Sequence, residues 1–267
     1  MKSCAVINDI SGFGKCSLTA ALPVLNALGT EVNPVVTAVL TNQTGYDSYF
    51  MDDLGDYMLR LIEQWKKLGA SFDGVLSGFI GSLNQFEYVN AFLDEFGGKN
   101  TLVVVDPVMA DNGSRYDNYS EKMCSQVAKL CSRANVITPN ATELSILCGA
   151  EYSNDIKTVT EYAKSLVSDT LKCVIVTGII GDGLMSNLCV CEDGERVFSS
   201  KYINKSFSGT GDLFASVVTG CLLKGLSPFT AVEAAQSFIS KSISATKNRD
   251  SRDGVDFEKY LSMLTSM

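Results

Sequence analysis

Histidine is missing altogether from the 267-residue chain. That gap removes the Ser-His-Asp triad, the Cys-His pair and every metal site that needs an imidazole. Any general base must then be a carboxylate, a cysteine, a lysine or a tyrosine. Long apolar runs are missing too: no stretch reaches about 18 residues, so no segment is expected to span a membrane. The N-terminal "MKSCAVINDI" enters an apolar run at once, with neither the length of a signal peptide nor a cleavage site after it. Clustered Lys and Arg are also lacking, and the net charge of −8 with a pI near 4.7 argues against a nucleic-acid-binding face. A bound polyanion must be held by local groups, since the overall field repels it.

The nine cysteines include no CxxC pair, and most fall inside apolar periodic segments, where a thiol acts as a small hydrophobe. A reducing compartment follows, and a soluble, cytoplasmic protein is expected. Linkers, low-complexity tracts and internal repeats are missing as well. One domain over residues 1–267 is the expected count.

What is present is an alternation of short β-branched runs and longer helical ones. Strands are expected at 4–8, 33–39, 74–78, 101–107, 135–140 and 173–178, with a β-hairpin within 183–202 turning at Asp193-Gly194. Helices are expected at 17–28, 52–68, 84–96, 121–132, up to Cys148, 155–167, 211–224, 228–246 and 255–263. Repeated βα units imply an α/β fold, with helices covering both faces of a mostly parallel, twisted sheet. Polar clusters stand where strands end: Asn8–Ser17, Asp106–Tyr116, Thr138–Glu143 and Thr177-Gly178. In open α/β sheets ligands bind at such ends, so the clusters are expected to converge on one crevice.

"SGTGD" (208–212) is the strongest local signal. Gly209 and Gly211 let successive N–H groups face one point, and the helix that follows adds its positive end. That arrangement suits a transferring phosphoryl group, with Asp212 beside it as base for an attacking hydroxyl. The plain alternative is that Asp212 complements the helix dipole, worth ~0.3–1 kcal/mol. "SGFGKCS" (11–17) fits neither a P-loop nor a dinucleotide fingerprint, and a flexible βα loop remains open for it. In "VDPVMADNGSRY" (105–116), Asp106 and Asp111 can orient Mg²⁺ through water, or Asp111 can cap the Asn112-Gly113 turn. Glu143 in "TPNATE" (138–143) is either a dipole partner of its helix or an outer-shell metal group.

"SGTGDLF", "DPVMAD" and "TPNATE" together resemble the ribokinase-like superfamily, over residues 2 to about 246. The resemblance implies a three-layer α/β/α fold with no large lid domain. "TNQTGY" (41–46) is similar to the substrate loop of pyridoxal kinases. It implies ATP-dependent phosphorylation of the 5′-hydroxymethyl group of pyridoxal, pyridoxine or pyridoxamine, with Mg²⁺ and a monovalent cation such as K⁺, by a homodimer. By this resemblance Asp212 is the base, while Gly209, Thr210 and Gly211 form the anion hole. Asp106, Asp111, Thr138 and Glu143 serve the nucleotide phosphates and Mg²⁺. Thr177, Gly178 and Ser208 belong to the nucleotide cleft, and Tyr116 lies on the loop that covers ATP. Asp9, Thr44 and Gly45 fall to the vitamer. The chain departs from many pyridoxal kinases by carrying Asn8-Asp9 in place of Ser-His, closer in style to hydroxymethylpyrimidine kinases. Asp9 can pair with a ring nitrogen or ring hydroxyl, or serve only as a turn aspartate. A hydroxymethylpyrimidine kinase and a nucleotide-sensing protein without turnover are the competing readings.

Overall fold

A computed structural model describes residues 1–203 and 205–267. In chain order the described residues form β1 (Lys2–Ser11), α1 (Ser17–Ala27), β2 (Thr30–Leu40), β3 (Met51–Asp53), α2 (Gly55–Lys67), β4 (Gly74–Ser77) and α3 (Leu83–Phe96). There follow β5 (Leu102–Val105), β6 (Ala110–Asp111), β7 (Ser114–Arg115), α4 (Glu121–Cys131), β8 (Val136–Ile137), α5 (Ala141–Cys148) and α6 (Ile156–Leu166). The chain continues through β9 (Cys173–Gly181), β10 (Leu184–Cys191), β11 (Gly194–Lys201), α7 (Thr210–Leu223), α8 (Pro228–Ala245) and α9 (Ser262–Thr265). The fold is mixed α/β, a large and mostly parallel sheet flanked by helices, as the βα rhythm implied. No helix among the described residues is long and apolar enough to cross a membrane. The chain divides into two compact units, Met1–Leu102 with Asn204–Met267, and Val103–Ile203.

In the first unit β1 pairs in parallel with both β2 and β4. A strand flanked on both edges and covered by helices must be apolar throughout, and Cys4–Ile7 are fully buried. The β1–β2 register shifts between Asn8 and Ile10, where three steps on β2 answer two on β1. The extra residue lies on β2, where Thr37 and Ala38 together stand opposite Asp9. On the sheet, α1 packs against β1, β2 and α7, and α7 packs against α8. The single tryptophan, Trp65 on α2, meets Phe72 and the α3 residues Phe92 and Phe96, with Phe92 and Phe96 4.7 Å apart between ring centres. Phe92 has no exposed surface. Phe92→Ala is therefore expected to cost ~3–5 kcal/mol, read as a shift of the urea midpoint.

Two segments depart from expectation. The helix expected over 52–68 begins only at Gly55, because Met51–Asp53 pair antiparallel with β2 and the Asp53 carboxylate accepts the Gly55 N–H at 2.7 Å. The helix expected over 255–263 does not form as one piece. Val255 and Phe257, two residues apart, are both buried, and the Asp256 N–H is drawn to the Thr246 hydroxyl at 2.8 Å. The segment instead holds a 3₁₀ turn at Glu258–Tyr260 and the short α9.

In the second unit β5 and β9 flank β8 in parallel, and β9, β10 and β11 continue antiparallel. Asp182 and Gly183, at φ of 51° and 73°, make a two-residue turn between β9 and β10. The expected hairpin within 183–202 is formed by β10 and β11. A small ribbon, β6–β7, turns through Asn112 and Gly113, again both left-handed. All nine cysteines are free thiols.

Candidate active site

Asp212 is the third residue of α7, in its first turn. The helix opens without a side-chain cap, on Gly209 in the left-handed region at φ 79°. The first N–H groups of a helix have no intrahelical acceptor, so this end is suited to an anion. A Cβ at Gly209 would lie 1.9 Å from the Lys15 carbonyl oxygen, so only glycine fits. Ser208 donates its N–H to Ser251 O, and the Thr210 hydroxyl turns back to Phe207 O at 3.0 Å. Gly211 is exposed at the mouth of the helix.

The Asp212 carboxylate is half-buried, and three donors reach it: Asn8 Nδ2 at 3.0 Å, the Ser17 N–H and its own N–H. Ser17 sits at φ 52°, a left-handed conformation that a serine adopts at a cost of ~1–3 kcal/mol, and this strained residue turns its N–H toward Asp212. Burial outweighs these bonds and, with the nearby charge of Asp9, pushes the Asp212 carboxyl up to about 6. Asp9 itself is buried, accepts the Ser11 hydroxyl at 3.0 Å, and is raised by burial against bonds from Ser17 and Ser11. Cys16 stands beside both. Burial first, and then the charges of Asp212 and Asp9, push its thiol up to about 12. It stays protonated at neutral pH, which leaves Asp212 as the group poised to take a proton there.

The 41–46 loop is held by Gln43, whose backbone N–H meets Phe13 O, whose Nε2 meets Arg252 O at 3.1 Å, and whose Oε1 accepts the Gly45 N–H at 2.6 Å. Thr44 is exposed at the tip. An open cleft of about 400 Å³ lies beside this loop, lined by Phe13, Thr41, Asn42, Tyr46, Asp47, Ser48 and Arg252. Thr44, Gly45, Asp9 and Asp212 are not among its walls.

In the second unit, Asp106 follows β5 and accepts the Thr138 hydroxyl at 2.8 Å. Glu143 is buried in a capping box at the start of α5, where Asn140 caps the helix and Glu143 Oε2 accepts the Asn140 N–H at 2.9 Å. Its Oε1 accepts the Met109 N–H at 3.0 Å. Burial and the charge of Asp106 hold the Glu143 carboxyl well above the usual range. Asp111 is exposed and folds onto the Asn112 N–H at 2.8 Å, the turn-capping alternative. Tyr116 is 40% exposed, with its N–H on Met109 O. Thr177 bridges in parallel to Asn140 and donates its N–H to Pro139 O, and Gly178 is exposed at φ 68°. No group of three carboxylates or thiols among the described residues is placed to hold a metal directly. Both Glu143 oxygens are taken by backbone N–H groups, so Asp106 and Glu143 could meet a hydrated Mg²⁺ only through its waters.

Asn8 and Ser17 delimit one of the polar clusters expected at the crevice, but neither their contact with Asp212 nor the role of Gly78 is signalled by the sequence. Asn8 is 3% exposed and bonded to Asp212, and a Cβ at Gly78 would lie 2.5 Å from Asn8 Nδ2. Asn8 and Asp212 are 204 residues apart, so no local spacing could have paired them.

The model of the phosphomethylpyrimidine kinase family matches residues 16–255. A pyridoxine/pyridoxal/pyridoxamine kinase of Bordetella avium is 27% identical over 258 residues, 90% of this chain and 84% of the relative. A Bacteroides thetaiotaomicron protein assigned to the phosphomethylpyrimidine kinases, solved with pyridoxal, superposes with a TM-score of 0.94 at 36% identity, covering 98% of this chain and 95% of that one. The pyridoxal kinase of Lactobacillus plantarum gives a TM-score of 0.91 at 26% identity, covering 100% of this chain and 97% of that one. The chain belongs to the phosphomethylpyrimidine kinase family, within the ribokinase-like fold.

Proposed function

We propose that this protein is a pyridoxal kinase, transferring the γ-phosphoryl group of ATP to the 5′-hydroxymethyl group of a B6 vitamer. The observation that carries the reading is Asp212, a carboxylate raised to about 6 at the uncapped, glycine-led start of α7, in a chain with no histidine. Its relatives support the acceptor, since the similar Bacteroides protein was solved with pyridoxal and the Bordetella enzyme is a kinase of all three vitamers.

In this reading Asp212 takes the proton of the acceptor hydroxyl as that oxygen attacks phosphorus, a contribution of ~10²–10⁴-fold. The N–H groups of Gly209, Thr210 and Gly211 meet the charge of the moving phosphoryl group. Ser208, Thr177, Gly178 and Tyr116 belong to the nucleotide, and Asp9, Thr44 and Gly45 to the vitamer. Asp106, Asp111 and Glu143 would hold Mg²⁺ through water, Thr138 would serve the nucleotide phosphates, and the ion would supply charge neutralisation of those phosphates. A homodimer of chains that each form one kinase domain over residues 1–267, in the cytoplasm and with a monovalent cation such as K⁺, completes the proposal.

The second reading is a hydroxymethylpyrimidine kinase, favoured by the name of the matching family and by Asn8-Asp9 in the first loop. A coupled ADP-release assay with pyridoxal, pyridoxine, pyridoxamine and hydroxymethylpyrimidine separates the two. Turnover of the three vitamers with a higher kcat/KM than hydroxymethylpyrimidine is expected. Turnover of hydroxymethylpyrimidine alone, or of none of the four, would contradict the proposal.

A further inference from the structure

Asn8 lies at the end of the fully apolar part of β1, almost wholly buried, where a polar side chain must have its bonds satisfied. Its oxygen accepts two backbone N–H groups, those of Asp9 and Phe79, each at 3.0 Å. Two donors on one oxygen settle which end of the amide is which, so the NH₂ group has to face the other way. It faces Asp212 Oδ1 at 3.0 Å. Gly78 makes the room: a Cβ there would meet Asn8 Nδ2 at 2.5 Å and Asn8 Cγ at 2.8 Å, although its backbone lies outside the left-handed region. The glycine is therefore required for space rather than for conformation.

We propose that Asn8, cradled by Gly78, is a positioning residue that fixes the rotamer and the protonation state of the Asp212 base. The proposal rests on the kinase reading above. Asn8 acts through Asp212 and needs no contact of its own with the substrate. An amide suits the position because it donates without bringing a charge. The ionisable groups facing Asp212 are Asp9 on β1 and Cys16 ahead of α1, the one acidic and the other held as a thiol. A third carboxylate would compete with Asp212 for its proton.

Asn8→Asp is the discriminating variant. It is isosteric and keeps an acceptor for the Asp9 and Phe79 N–H groups, so the tie between β1 and the 78–79 turn survives while the donor to Asp212 is lost. If Asn8 positions the base, kcat for pyridoxal at pH 7 falls by ~10- to 100-fold, the loss expected for a hydrogen bond to a charged group. KM stays within a few-fold, and the acid limb of the kcat profile moves to higher pH, because the new carboxyl shares a proton with Asp212. Gly78→Ala should give the same split between kcat and KM. In an Asp212→Asn background Asn8→Asp should add little. A carboxyl-carbon NMR titration of the whole chain, with the Asp212 signal identified by its loss in Asp212→Asn, reads the contact without turnover. Asn8→Asp should raise the Asp212 pKa by at least about one pH unit, given a lost donor and a gained anion. An unchanged Asp212 titration, or wild-type kcat with an unmoved acid limb, overturns the proposal. Failure of the wild-type chain to phosphorylate pyridoxal overturns the kinase reading, and the titration still decides the role of Asn8.

Discussion

Asp212→Asn is expected to lower kcat for pyridoxal by ~10²–10⁴-fold, the usual share of a general base, while nucleotide affinity changes little. The same substitution is expected to stabilise the fold at pH 7. A carboxyl raised to about 6 in the folded chain is held there mainly by burial, so its ionised form is disfavoured in the native state. The folded chain binds this proton more tightly than the unfolded one, and stability falls as pH rises from about 4 through 6. Each tenfold difference in proton affinity is worth ~1.4 kcal/mol, and the partial exposure of the carboxylate reduces the total to ~1–2 kcal/mol. Thermal melts of wild type and Asp212→Asn should converge near pH 4, diverge as pH rises from about 4 through 6, and stay apart above pH 6 with the variant melting higher. Lost activity with gained stability is the signature of a charge placed for chemistry. A variant that is inactive because it is unfolded would show the opposite melt.

Gly209→Ala carries the second large effect, and it acts on stability and turnover together. The alanine would have to occupy φ 79° with its Cβ 1.9 Å from the Lys15 carbonyl, a backbone atom that cannot swing aside. Left-handed strain of ~1–3 kcal/mol and a core-like clash of similar size give an expected loss of ~2–5 kcal/mol in denaturant unfolding. Gly149→Ala is the control. Gly149 is also left-handed, at φ 61°, but a Cβ there meets nothing within 4 Å. The strain alone, ~1–2 kcal/mol, is expected at that position, with kcat unchanged. If the two variants proved equally stable and equally active, the close seat of α7 against the 11–16 loop would have no functional weight.

Much of this was readable from the chain. β1 and β5 are apolar runs of the kind a strand covered on both faces requires, and several of the helices end on glycine as their termini should. "SGTGD" identified the start of α7 because a left-handed glycine and a first-turn carboxylate are local features. The capping box at Asn140 and Glu143 is local too, but a helix cap and a metal-side carboxylate look alike in sequence. Edge strand β3 was missed because "MDD" has no apolar alternation; only its pairing with β2 makes it a strand. Segment 255–263 misled because Val255 and Phe257 enter the core at a spacing of two, while the surrounding composition looks helical. Asn8, Ser17 and Gly78 were invisible as partners of Asp212 because their meaning lies in bonds and space between distant parts of the chain.

The most direct test is the pH dependence of kcat/KM, measured with pyridoxine and with pyridoxamine. A single acid limb near pH 6 that keeps its place when the vitamer changes belongs to the free enzyme, and it should vanish in the residual activity of Asp212→Asn. A limb that moves with the vitamer, or that persists unchanged without the carboxylate, would show that Asp212 does not take the proton.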